Sequence, residues 1–222
     1  PTLYCDVYDP LRLGVEKAVH SFEDDIAGIS SRLPMTTLVH TLRQIAPVRR
    51  MGALFSRHER GTVLQTEELK RLSAKTGYKL FAEDLHSDHG LDQALRSLAT
   101  ADIDVMYLTE SAVVGRQVGK ILAWCDERQI PVIGHVPGLA QDGAILCLEA
   151  DPAEQGEVLA RCVIELAGGA DNACRGIRKA RKINFLVNLS VAEKYGLIVP
   201  FQALTLATRV LRGENAADNA NQ

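Results

Sequence analysis

From Arg50 to Val187, short apolar runs without polar alternation take turns with stretches of helical periodicity. This alternation restricts the fold more than any other feature of the chain. The runs MGALF, YKLFAED, DVMYL, PVIGH and GAILCLE read as strands, and INFLVNLS follows them after one further helix. A strand that is apolar on both sides must be covered on both faces. An intervening helix supplies that cover and also the long connection that parallel neighbours require. Such crossovers are right-handed. The fold class expected is therefore α/β, with parallel sheets flanked by helices.

The helices carry their own punctuation. The one after MGALFS has Leu64, Leu69 and Leu72 and stops at Gly77, and LDQALRSL is a short one. The helix after DVMYL places Val113, Val114, Val118, Ile121 and Leu122 on one side. Asp151 before Pro152 is an N-cap followed by proline at the first helical position, and Gly168-Gly169 is a stop signal. The leading segment looks incomplete. TLYCDVY reads as a strand ending at Asp9-Pro10, and FEDDIAGISSRLPMTTLVHTLRQIAP reads as a turn and one amphipathic helix. One strand and one helix cannot bury a core alone. They either join the main sheet or belong to a second lobe shared with the C-terminal region, with Pro47 suited to the crossing. The expected division is thus 49–149 as a complete second lobe, with 1–48 and 150–222 as a partial first lobe and C-terminal region. An uncovered apolar edge on TLYCDVY would invite a second copy, giving a homodimer.

Composition narrows the function classes. The chain has 222 residues, 46% hydrophobic and 24% charged, with a formal net charge of -3. That mildly acidic balance gives no electrostatic reason to expect nucleic acid. No apolar run approaches the ~20 residues a membrane span needs. Pro1 opens the chain without a charged-then-apolar leader, which leaves processing or an internal start open. Five cysteines (Cys5, Cys125, Cys147, Cys162, Cys174) form no C-x-x-C pair, and four of them sit in apolar runs, where they read as small buried hydrophobes. His86 and His89 lack a third ligand at helical spacing and read as a solvated loop rather than a metal pair. The run RKARK, from Arg178 to Lys182, reads as a solvated face. Neither a nucleophile elbow, a glycine-rich phosphate loop nor an H-E-x-x-H motif occurs, so the expectation is a non-enzyme without cofactor or metal.

In an open parallel sheet, ligands bind beyond the carboxyl ends of the strands. That rule selects Tyr8, Asp9, Ser56, Arg57, Thr109, Glu110, Ser111, His135 and Glu149 as ligand-binding candidates. The helix opening after Ser111 offers backbone N–H groups suited to a carboxylate, and Glu110 could accept an ammonium, so together they suit a zwitterion. Capping by Ser111 explains the same residues without any ligand.

Several stretches together resemble one family. DVYDPLRLGVEKAV with IAGISS, DIDVMYLTESAVVGRQVGKILAWCDERQIPVIG, GAILCLEADPAEQGEVLA and NFLVNLSVAEKYGLIVP follow in order the segments of the ABC-transporter substrate-binding proteins that include tryptophan- and tyrosine-binding members. The resemblance implies a periplasmic-binding-protein-like fold in which a ligand is clasped between two lobes by hinge closure. It implies an ABC permease as partner and a periplasmic or otherwise extracytoplasmic location, lipid-anchored in a full-length precursor. It also implies that most of the first lobe's leading strands lie outside this sequence. The chain departs from the family pattern at three places. Glu110-Ser111 stands for an aspartate-asparagine pair, Leu148-Glu149-Ala150 for tyrosine-glycine-aspartate, and Ser56-Arg57 for asparagine-proline. The function expected is solute binding for an importer, of an amino acid or related zwitterion, the alternative being a ligand-sensing module of a signalling protein.

Overall fold

The computed structural model describes residues 2–14, 26–86, 90–168 and 176–213. In chain order the first elements are β1 (Thr2–Val7), β2 (Ile26–Ser30), α1 (Met35–Ile45), β3 (Arg50–Phe55), α2 (Arg60–Thr76), β4 (Lys79–Asp84) and α3 (Leu91–Thr100). They are followed by β5 (Val105–Leu108), α4 (Ala112–Arg116), α5 (Val118–Asp126), β6 (Val132–Gly134), α6 (Leu139–Asp142), β7 (Leu146–Ala150) and α7 (Pro152–Ala167). The chain closes with β8 (Gly176–Lys179), β9 (Ile183–Asn188), α8 (Leu189–Lys194), α9 (Phe201–Leu206) and β10 (Arg209–Leu211). These elements form two compact units, one from the described residues within Pro1–Leu33 and Glu149–Ile183, the other from those within Pro34–Leu148 and Asn184 onward.

The larger unit is built on a seven-stranded sheet of order β10-β9-β7-β6-β5-β3-β4. Every pairing resolved in register there is parallel, among them β3 with β4 and β5, β5 with β6, β6 with β7, and β9 with β10. The central strands are buried along their length, as unalternated apolar runs require, whereas the edge strand β4 is half-exposed. Each covering helix turns one apolar stripe inward. In α1 the stripe is Met35, Leu38, Val39, Leu42 and Ile45, and in α3 it is Leu91, Ala94, Leu95 and Leu98. α2 ends at Gly77, whose φ of 83° is the left-handed cap that glycine adopts without a Cβ penalty. Strand order reverses at β3. The chain moves outward from β3 to β4, then crosses back to β5 on the other side and continues through β6 to β7. With right-handed crossovers, α2 and α3 then lie on opposite faces of the sheet.

The smaller unit is a three-stranded parallel sheet of order β1-β2-β8 with α7 packed on β1 and β2. Among its described residues, Ala27 and Cys162 form a buried cluster with Leu3 and Val158 against them, and Ile29 is buried as well. Gly28 sits opposite Tyr4 in the β1–β2 register, and a Cβ there would collide with the Tyr4 carbonyl oxygen and ring. Only glycine allows the two strands to approach in this way. Cys162 is disulfide-bonded, a covalent staple of this unit. Asp151 caps α7, its Oδ1 accepting from the N–H groups of Ala153 at 2.8 Å and Glu154 at 3.2 Å, with Pro152 at the first helical position.

Several expectations are corrected. IAGIS is strand β2, not a turn, because a five-residue run pairs on both sides with β1 and β8. Arg178 and Lys179 lie in strand β8, which the charge run concealed. Cys162 is a disulfide cysteine rather than a plain buried hydrophobe, while Cys125 and Cys147 are free and buried and Cys5 is free and half-buried. Cys174 and His89 lie outside the described residues. The units also divide differently from the expected 49–149 against 1–48 with 150–222. α1 packs on α2, and β9 and β10 extend the seven-stranded sheet, so residues 34–48 and the chain after 183 belong with the larger unit.

Candidate functional site

Because β3, β5 and β6 are adjacent and parallel, their carboxyl ends share one edge of the larger unit's sheet. Ser56-Arg57 follows β3, Thr109-Glu110-Ser111 follows β5 and His135 follows β6. The strand order reverses between β3 and β5, so the helices that follow these two strands lie on opposite faces of the sheet, the topology at which open parallel sheets take ligands.

The loop after β3 is held from within. Thr62 Oγ1 accepts the Ser56 N–H at 3.1 Å and donates to the Ser56 carbonyl at 2.8 Å, and both residues are buried. Arg57 points away from any role as a loose cation. Its N–H donates to Asp84 Oδ1 at 2.8 Å and its guanidinium pairs with the same carboxylate, which His86 Nδ1 also approaches to 3.0 Å. Asp84 thereby ties the ends of β3 and β4 together.

The loop after β5 is bracketed from α2. Thr109, fully buried, donates its hydroxyl to the Leu54 carbonyl at 2.8 Å. Gln65, also fully buried, makes a two-point clasp on Glu110: its Nε2 donates to Glu110 Oε2 at 2.9 Å, and the Glu110 N–H donates to its Oε1 at 3.0 Å. Ser111 is the N-cap of α4, its Oγ accepting the Val114 N–H at 3.2 Å. The Ala112 N–H donates to the Glu59 carboxylate at 3.1 and 3.2 Å. The opening turn of α4 is therefore met by this chain's own carboxylate and hydroxyl. The capping reading of Ser111 holds, and of the backbone donors at this helix start those of Ala112, Val114 and Gly115 are engaged.

His135 is 1% exposed, and its Nδ1 lies 2.8 Å from the Tyr107 hydroxyl. Burial pushes the imidazole down to about 4, so it is neutral at pH 7. Its Nε2 is buried and has no partner among the described residues, an exception to the rule that buried polar atoms are satisfied. What the edge offers is a set of hydrogen-bonding groups held in place by buried partners.

The remaining candidates belong to the smaller unit. Asp9, with φ of 47°, is buried, accepts the Arg12 N–H at 3.3 Å and pairs with Arg32 at 3.2 Å. Tyr8 and Glu149 are buried there as well. Sequence reasoning missed Glu59, Gln65, Asp84 and Tyr107. Gln65 had a readable signal, since with Thr62 it interrupts the otherwise apolar stripe completed by Leu69 and Leu72. Glu59 had none, because its partner is 53 positions away. Two surface clefts, of about 610 Å³ between α5 and α8 and about 760 Å³ along α7, are lined by other residues than these candidates.

Among the described residues no helix is long and apolar enough to cross a membrane. In structure the chain is similar to a conserved domain protein from Vibrio cholerae, with TM-score 0.83 and 24% identity over 95% of this chain and 71% of that one. It is equally similar to an ABC domain from Streptococcus pneumonia determined in complex with L-Trp, with TM-score 0.83 and 17% identity over 95% and 73%. A ligand-free, open substrate-binding protein with adhesive properties from Clostridium difficile matches with TM-score 0.66 and 21% identity over 90% and 68%. At these identities the likeness speaks for the fold, which is the periplasmic-binding-protein-like α/β fold. No curated protein matches the chain in sequence. The family model for ABC transporter substrate binding proteins matches residues 1–211, and the chain belongs to that family.

Proposed function

We propose that this chain is the extracytoplasmic solute-binding component of an ABC importer, taking a small zwitterion of the amino-acid class. The loops after β3, β5 and β6 of the larger unit hold the ligand on this reading, and Tyr8, Asp9 and Glu149 of the smaller unit are further proposed contacts. The observation that carries the reading is the reversal of strand order between β3 and β5, with Ser56, Arg57 and Glu110 at the ends of those strands, where open parallel sheets take their ligands. Glu110, clasped by Gln65 but half-exposed, is the proposed acceptor for the ligand ammonium. With the opening turn of α4 met by Glu59, the His135 Nε2–H is the proposed donor to the ligand carboxylate. The relative solved with L-Trp supports the ligand class, and the disulfide at Cys162 supports an oxidising, extracytoplasmic compartment. An ABC permease is the partner this role requires, and lipid anchoring of a precursor suits it. We further propose a homodimer through the outer edge of β1, which has β2 as its one strand neighbour among the described residues. A monomeric mass by light scattering at micromolar concentration would count against that dimer.

The function is tested by calorimetric titration of the protein and of Glu110→Gln with the twenty amino acids. Glu110→Gln removes the charge yet keeps an acceptor for Gln65. The expected result is saturable binding of at least one member, weakened roughly ten- to a hundredfold in the variant. A panel without any binder, or a binder indifferent to the substitution, would overturn the assignment.

A further inference from the structure

The basic run from Arg178 to Lys182 is used neither by the candidate site nor by the core of its unit. β8 ends at Lys179, and the turn that follows is fixed by Glu154, whose Oε2 accepts the N–H groups of Arg181 at 3.0 Å and Lys182 at 2.8 Å. Glu154 is buried, and it shares one stripe of α7 with Glu157, Val158 and Arg161, at spacings of three, four and seven. Stripe and run line a single cleft of about 760 Å³, to which Ile29, Val158 and Ile177 give apolar surface.

Arg161, Lys179, Arg181 and Lys182 line this cleft and are exposed, and among the described residues their side chains have no hydrogen-bond or ion-pair partner. Arg178 lines it too and is already engaged. Of the two carboxylates among the described residues that line it, Glu154 is committed to the backbone of the turn, which leaves Glu157 against four cations. The cleft is thus strongly positive on a chain whose formal net charge is -3. Cations gathered from a helix and from a strand end around a concave apolar surface concentrate the field there and favour a multiply charged anion. Guanidinium forks beside lysine ammonium groups match phosphoryl oxygens, several of which can be bridged at once.

We propose that this cleft binds a ligand carrying two or more phosphoryl charges, with the attached carbon skeleton against Ile29, Val158 and Ile177. Two sources share that chemistry, a soluble phosphorylated molecule and the headgroup region of an anionic phospholipid. The test uses the whole chain with two probes: inorganic tripolyphosphate, titrated calorimetrically, and phosphatidylglycerol vesicles, cosedimented against pure phosphatidylcholine vesicles. Lys179→Gln/Lys182→Gln is the variant, and Arg161→Gln, on the other wall, is an independent second. Lys70→Gln/Lys120→Gln makes the same charge change at exposed positions of the larger unit. The expected result is tripolyphosphate binding, vesicle binding or both, weakened roughly tenfold or more by each cleft variant at unchanged Tm and left intact by the control. Tripolyphosphate binding points to a soluble ligand, and vesicle binding without it points to the headgroup. Failure of both probes to bind, or equal loss in cleft and control variants, would overturn the proposal.

Discussion

Gln65 is the residue on which the geometry of the β5 loop depends most, and Gln65→Met isolates its contribution. Methionine fills nearly the same volume, so the cost of a cavity is small. What is lost is the two-point clasp on Glu110, at 2.9 Å to a carboxylate oxygen and 3.0 Å from a backbone N–H. A hydrogen bond to a charged group is worth ~1.5–3 kcal/mol and one between neutral groups ~1 kcal/mol, so the substitution should cost about 2–4 kcal/mol. Set against a stability of ~5–15 kcal/mol for a domain, that is a large fraction. Urea unfolding followed by circular dichroism at pH 7, for Gln65→Met, Glu110→Ala and the double variant, measures it. Glu110→Ala is itself expected to be costly, since it strands the buried Gln65 amide; a coupling of ~1–3 kcal/mol between the two positions should appear in the cycle. A Gln65→Met cost below about 0.5 kcal/mol, or additive effects, would show that the clasp does not hold the loop.

Three further outcomes follow from the same structure. His135 has a folded pKa of about 4, below its unfolded value, so the unfolded chain takes up the proton first as pH falls. Its contribution is complete above about pH 6.5 and is lost towards pH 4 at ~1.4 kcal/mol per pH unit, a slope that His135→Gln should flatten in acid unfolding curves. Gly28→Ala must push β1 away from β2, because the new methyl meets the Tyr4 carbonyl oxygen as well as its ring, and rotation of the ring relieves only the second contact; the cost should be ~1–3 kcal/mol or more by thermal unfolding. Reduction of the Cys162 disulfide should cost ~2–5 kcal/mol, read as a lower Tm and faster proteolysis of the smaller unit in dithiothreitol.

Much of the larger unit was legible because its strands are buried on both faces. MGALF, DVMYL and PVIGH carry no polar alternation, and helices with clear stripes and the Gly77 stop separate them. The smaller unit was harder for physical reasons. β2 contains Gly28 and runs into Ser30-Ser31, residues that suit turns, and only the close approach of Tyr4 explains the glycine. β8 is four residues long and half charged, since it lies at the edge of a thin sheet. The return to the larger unit passes through Ala180, Arg181 and Lys182 without proline or glycine, so nothing local marks the boundary. At the candidate site, the carboxyl-end rule found the loops but not what holds them. Glu59, Gln65 and Asp84 act across 27 to 53 positions, and such pairings follow from the sheet order rather than from any local pattern.

The most direct test is a crystal structure of the protein with the amino acid that binds it most tightly. The account predicts density for the ligand at the carboxyl ends of β3 and β5, its ammonium within hydrogen-bond distance of Glu110 and its carboxylate reached by His135 Nε2. Ligand density elsewhere, with the Glu110–Gln65 clasp and the buried His135 untouched, would contradict it.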